Sequence, residues 1–251
     1  MSDLKALKII QEAVEAHGGL AYWNGLEGLE AEISARGFLF TAKRRPVLNR
    51  VRMWAHAREP QFTFFDFPNP GQRAELLGTR EVRILDDRGR IIDRRGNPRA
   101  VFHGLRQFFV WDDLDFTYFG GYATWNYLTT PFLLLEKGFI LKALDPLPGA
   151  VVKLTRIEAI FPDHIPTHSK KQIFYFDDQR LLRRLDYTAE IVGGWAHAAH
   201  LCEDYQTFDG IKASTRRQVL PLLFGNKPLP RPRLVELEVH RITPIHHSEA
   251  A

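Results

Sequence analysis

Apolar residues at Leu4, Leu7, Ile10 and Val14 fall three or four apart, a spacing that predicts a helix over residues 4–17 with one apolar face. Gly18-Gly19 should end it, because glycine accepts the left-handed conformation common past a helix end. Residues 20–26 read as a second short helical turn or a tight link. From Leu29 the period changes to two. Ala31, Ile33 and Ala35 alternate with Glu30, Glu32 and Ser34, which predicts a strand running on through Gly37–Phe40. Residues 47–57 and 61–67 predict two more strands, and Pro68-Asn69-Pro70-Gly71 a turn. Residues 82–85 and 90–93 flank Asp86-Asp87-Arg88-Gly89 as a hairpin would.

Asn97-Pro98 then predicts a helix start, followed by Val101, Phe102, Leu105, Phe108 and Phe109 at helical spacing. The longest apolar region covers 116–141. Gly120, Gly121, Asn126 and Pro131 interrupt it, so it is too polar and too broken to span a membrane. It reads as helix, break, helix, laid across a sheet. After a linker at 143–150 come strands at 151–161, 165–176, 181–191, 196–208, 211–222 and 234–242. Asp177-Asp178, Gly193-Gly194, Asp209-Gly210 and a proline-rich loop over 225–232 separate them.

Together these elements predict a mainly β (α+β) fold: a strongly curved antiparallel sheet forming an unclosed barrel. An N-terminal helix and a helical insertion would cover its concave face. One domain of 251 residues is expected, divided into an N-terminal helical segment (1–28), a first strand block (29–96), the helical insertion (97–142), a second strand block (151–243) and a tail (244–251).

Composition changes this picture little. Apolar residues make up 45% and charged residues 25%, enough for a core and a solvated surface. Aromatics reach 12%, which suits a curved sheet or an apolar pocket. Cys202 is the single cysteine, which excludes an intrachain disulfide and a cysteine-based zinc site within one chain. The net charge of +4 comes from arginines scattered over strands and turns, so nucleic acid is not the expected partner. The first residues lack a basic segment followed by a long apolar run. A cytoplasmic location is therefore expected, or an extracytoplasmic one if a leader was removed.

The opening EAHGGLAYWNGLEGLEAEISARGFLF places a Gly pair at a helix end, a Trp after it, and then a first strand. With FPDHIPTHSKKQIFYFDDQRLLRRLDY and DYQTFDGIKASTRRQV, it resembles the bacterial lipoprotein-carrier-like (LolA/LolB/LppX-like) superfamily. That resemblance implies an unclosed barrel lidded by helices, with an apolar cavity for acyl chains. The chain departs from it in having no lipidation cysteine at its start and no assignable counterpart of the carriers' cavity arginine.

Tyr118, Tyr122, Trp125, Tyr127 and Phe132 offer apolar surface with polar tips, as a lining for a mainly hydrocarbon ligand would. The same residues could equally be core packing. Strand alternation offers Leu185, Tyr187, Leu201 and Tyr205 as further lining. It then gathers Asp186, His200, Asp204 and Arg216 on the opposite face; in the other register that cluster points inward. A histidine among carboxylates could do acid–base work, and His168, Tyr175, Asp186, His200 and Asp204 are the candidate catalytic set. A cross-strand charge network is the structural alternative. No histidine spacing suggests a metal site, and no motif implies a cofactor. The leading expectation is a binder of a hydrophobic or amphipathic small molecule such as a lipid. A cytoplasmic cyclase, isomerase or hydrolase using the same cavity is the alternative. A strand-edge interaction module is a third reading.

Overall fold

The computed structural model describes residues 2–104, 108–147, 153–223 and 226–247. Leu105, residues 148–152 with the expected start of a strand at 151, Gly225 and the end of the expected tail lie outside them.

Helix α1 (Leu4–Ala16) starts at Asp3, whose side chain accepts from the Lys5 amide. Its buried stripe is Ala6, Ile9, Ile10, Ala13 and Val14, whereas Leu4, expected on that stripe, is exposed. A short α2 (Leu20–Asn24) leads into β1 (Leu26–Arg36). At Gly37 the chain turns with φ of 138° into α3 (Phe38–Ala42) instead of continuing the strand. Then come β2 (Leu48–His56), β3 (Gln61–Phe65), β4 (Arg73–Leu77), β5 (Glu81–Leu85) and β6 (Ile91–Gly96). The helix expected from Asn97 begins as a 3₁₀ turn, Pro98–Val101.

Helix α4 (Asp113–Thr129) runs unbroken through Gly120-Gly121, which the sequence reading takes as an interruption. Those glycines face the sheet. A β-carbon on Gly121 would lie 3.1 Å from Leu76, and one on Gly120 would lie 3.0 Å from Phe64. Missing side chains let the helix sit close on β3 and β4, and that packing outweighs glycine's poor helix propensity. After a 3₁₀ turn, Phe132–Leu135, the expected second helix is instead β7 (Ile140–Leu144). The rest is β8 (Thr155–Ile160), β9 (Lys171–Phe176), β10 (Leu182–Thr188), β11 (His197–Phe208), β12 (Ile211–Pro221) and β13 (Val235–His246). The expected tail thus begins later than 244, because Leu26 and Gly28 of β1 give β13 ladder partners as far as His246.

All 13 strands form one antiparallel sheet, ordered β6-β5-β4-β3-β2-β1-β13-β12-β11-β10-β9-β8-β7. Two meanders are joined where β1 pairs with β13, and β6 and β7 are left as edges, so the sheet is not closed. Helix α4 lies between these two edge strands in the chain. It packs on β2 through β6 and also touches β10 and β12, so the sheet curves around it. Every α4 residue except Asp113 and Gly120 is buried, which is why its sequence shows no polar face. No helix among the described residues is long and apolar enough to cross a membrane.

Candidate ligand-binding site between sheet and helix

Helix α4 is pinned at its start. Asp112 and Asp115 form a capping box, and Arg95 of β6 donates to both, at 2.7 Å and 2.6 Å. Arg45 pairs with Asp113. The anchored helix turns Tyr118, Tyr122, Trp125 and Tyr127 into the interior, all of them buried. The Trp125 indole donates to the His56 carbonyl at 2.8 Å.

Tyr122 and Tyr127 reach His168, which the sequence reading places on a strand. It lies in the loop before β9, where the chain tucks it inward. Its Nδ1 is 3.2 Å from the Tyr122 hydroxyl and its Nε2 2.7 Å from the Tyr127 hydroxyl. A neutral imidazole satisfies both, donating to one tyrosine and accepting from the other. The ring stacks on Tyr187 with centroids 4.0 Å apart and an interplanar angle of 6°. Tyr127 also meets the Tyr187 hydroxyl at 3.3 Å, and its ring stands edge-on to His200 with centroids 4.4 Å apart.

Burial governs the protonation of this cluster. It pushes His168 down to about 3, with the Arg99 cation adding to the effect. His200 is held well below the usual histidine range, first by burial and then by Arg217 and His168. Burial raises the Tyr122, Tyr127 and Tyr187 hydroxyls. All five are neutral near pH 7. Both ring nitrogens of His200 and the amide oxygen of Asn126 are buried with no hydrogen-bond partner among the described residues.

Register separates the expected catalytic set. Leu185 lies opposite His200, and Asp186 opposite Ala199, so His200 shares the inner face with Leu185 and Tyr187 while Asp186 faces outward. On the outer face Tyr175 donates to Asp186 at 2.6 Å and Arg184 grips the same carboxylate at 2.6 and 2.9 Å. Asp204, at a positive φ of 53°, is exposed and pairs with Arg216 at 2.8 Å. The cluster of Asp186, His200, Asp204 and Arg216 therefore does not form in either expected arrangement. Of the expected lining, Leu201 pairs with Arg184 and faces outward. Phe132 stacks on Trp23 below α1, and Tyr205 packs against His17 and donates to the Leu182 carbonyl at 2.5 Å.

The sheet also forks. β12 pairs with β13 only from Arg216↔Glu238 to Val219↔Val235. Beyond that, β13 follows β1 and β12 follows β11 down to Phe208↔Ile211. Two spaces lie beside the fork. One is an open groove of about 1030 Å³ on β1, β2, β11, β12 and β13. The other is a cleft of about 10 Å³ beneath α4, lined by Ile33, Leu128 and Ile242 among others. Arg217, Leu237 and Val239 line both. Tyr127 is the one predicted lining residue that reaches the cleft. Arg217 is absent from the sequence-based candidates; its place on the same strand face as Val219 was the readable sign.

An open antiparallel sheet wrapped around one buried helix is a LolA-like fold, and solved structures bear this out. A domain of outer membrane lipoprotein-sorting type from Vibrio parahaemolyticus superposes with a TM-score of 0.55 at 10% identity, over 98% of this chain and 94% of its own. A LolA superfamily protein from Nitrosomonas europaea gives 0.55 at 11% identity, over 97% and 94%. A DUF1329 family protein from Desulfovibrio piger gives 0.50 at 12%, over 95% and 92%. No protein-family model matches the sequence, and no curated protein matches it significantly.

Proposed function

We propose that this protein binds a hydrophobic or amphipathic small molecule, lipid-like in character, between α4 and the sheet. The carrying observation is the fork. There an apolar cleft under a helix shares Arg217, Leu237 and Val239 with a larger groove on the sheet. The shared fold of a protein named for lipoprotein sorting supports the same reading. At about 10 Å³ the cleft has roughly the space of one water, so a ligand must lift α4 away from Ile33, Leu237 and Val239 to enter. The unsatisfied polar atoms of His200 and Asn126 favour such a rearrangement, since each lowers the stability of the closed state.

Titration with Nile red, a neutral apolar dye, tests the reading. Saturable binding near one dye per chain, displaced by a long-chain lipid, is the expected result. Native mass spectrometry of gently purified protein should show adducts of lipid mass. Linear, non-saturating dye uptake together with a clean unliganded mass would overturn it.

A further inference from the structure

Five arginines line the groove: Arg36, Arg50, Arg216, Arg217 and Arg233. Four are partly exposed and each has a carboxylate. Arg36 and Arg233 share Glu236, Arg50 takes Glu32, and Arg216 takes Glu203 and Asp204. Arg217 is the exception. It is 6% exposed, and among the described residues its hydrogen bonds go to a sulfur and a carbonyl, not to a carboxylate. Its contacts carry no formal charge: Nη2 donates at 3.1 Å to the Tyr127 carbonyl in the last turn of α4, and Nη1 approaches the Cys202 sulfur at 3.5 Å. The guanidinium also lies over the Tyr127 ring, 5.5 Å from its centroid.

A guanidinium has five N–H donors and stays charged, so burial without a counter-charge is costly. Most proteins bury arginine only against a carboxylate or phosphate. Here the most deeply buried of the five is the one with none, and it lines both the groove and the cleft. Burial drives the Cys202 thiol upward, so the adjacent sulfur is neutral and supplies no counter-charge.

We infer that Arg217 is the head-group receptor of the site, and that the ligand is a long-chain amphiphile bearing a single anionic group of carboxylate type. A planar oxygen pair fits the guanidinium fork, and one charge balances one cation. The apolar chain would run from there beneath α4, along Leu128, Val239 and Ile242. This inference rests on the binding function proposed above and adds the charge class of the ligand.

The test compares oleate with methyl oleate, two probes that differ at the head alone, by displacement of Nile red. Wild-type protein should bind oleate at least tenfold more tightly than the ester. Arg217→Gln should weaken oleate about tenfold or more while leaving the ester within twofold, and Arg217→Lys should restore part of the difference. Arg94→Gln, on the exposed edge strand, should change neither. Equal wild-type affinity for acid and ester overturns the inference while leaving the binding function standing, and this arm needs no variant to fold. Unchanged oleate affinity in a folded Arg217→Gln protein overturns it too. If neither probe nor dye binds, the binding function falls and the inference with it.

Discussion

At the scale of single residues, three histidines are enclosed before they can take up a proton. His17, whose Nδ1 meets the Ala13 carbonyl at 2.7 Å, is pushed down to about 4 by burial. His168 is pushed to about 3 and His200 lies well below its ordinary value of 6.5. In the unfolded chain all three titrate near 6.5. Below that pH the unfolded state binds protons that the folded state excludes, so stability present above pH 6.5 is lost as pH falls towards 3–4. Each excluded proton contributes a slope of up to about 1.4 kcal/mol per pH unit. The melting temperature should therefore drop steadily from pH 7 to pH 5, a window above the carboxylate range. His168→Gln should melt lower at pH 7, having disturbed two tyrosine contacts, but lose less on acidification. Calorimetry at pH 7, 6 and 5 checks both, and a flat wild-type profile would contradict the account. The sequence offered His200 as a neighbour of carboxylates and His168 as a further acid–base candidate. What it could not supply was the neighbour: tyrosines from a helix more than forty residues away from His168.

At the scale of elements, the fate of α4 is decided at its first turn. Asp115 is 1% exposed, and Arg95 is the cation that reaches it from β6. Removing Arg95 takes charge-assisted hydrogen bonds from both Asp112 and Asp115, each contributing about 1.5–3 kcal/mol. Arg95→Ala should lower unfolding stability by about 3 kcal/mol or more, whereas Arg94→Ala, exposed on the same strand, should change it by less than about 0.5 kcal/mol. Urea titrations of the two variants make the comparison, and equal effects would mean that the helix start is held otherwise. Elements with a clean period were legible in the sequence: α1, β1 and the long strands β11 and β12 lie close to where alternation puts them. Two short strands were not. β4 reads RAELL and β7 reads ILKAL, runs whose extended form is fixed by ladder partners and not by their own pattern. The continuity of α4 through two glycines was hidden for the same reason, because close contact with Leu76 and Phe64 decides it.

At the scale of the whole molecule, the two strand blocks share one interior. β1 lies between β2 and β13, so the first block's longest ladder is made with the last strand of the second. Helix α4 packs on β3 to β5 with one side and lends Tyr127 to His168, Tyr187 and Arg217 with the other. Neither block could bury that helix alone. Alternation could place residues on faces, yet the β1–β13 pairing joins segments some two hundred residues apart, and nothing local encodes it. The expectation of a single domain then becomes a statement about cooperativity. Urea unfolding followed by tryptophan fluorescence, which reports on buried Trp125 and Trp23, should coincide with unfolding followed by far-ultraviolet circular dichroism. A chain cut within 148–152 should behave as a complementing pair: each fragment unfolded by itself, the two together recovering the β spectrum, because β1–β13 and the α4 contacts both cross the cut. A fragment that folds on its own would show that the joined interior is not what holds the molecule together, and that the fork beneath α4 is a boundary between two units.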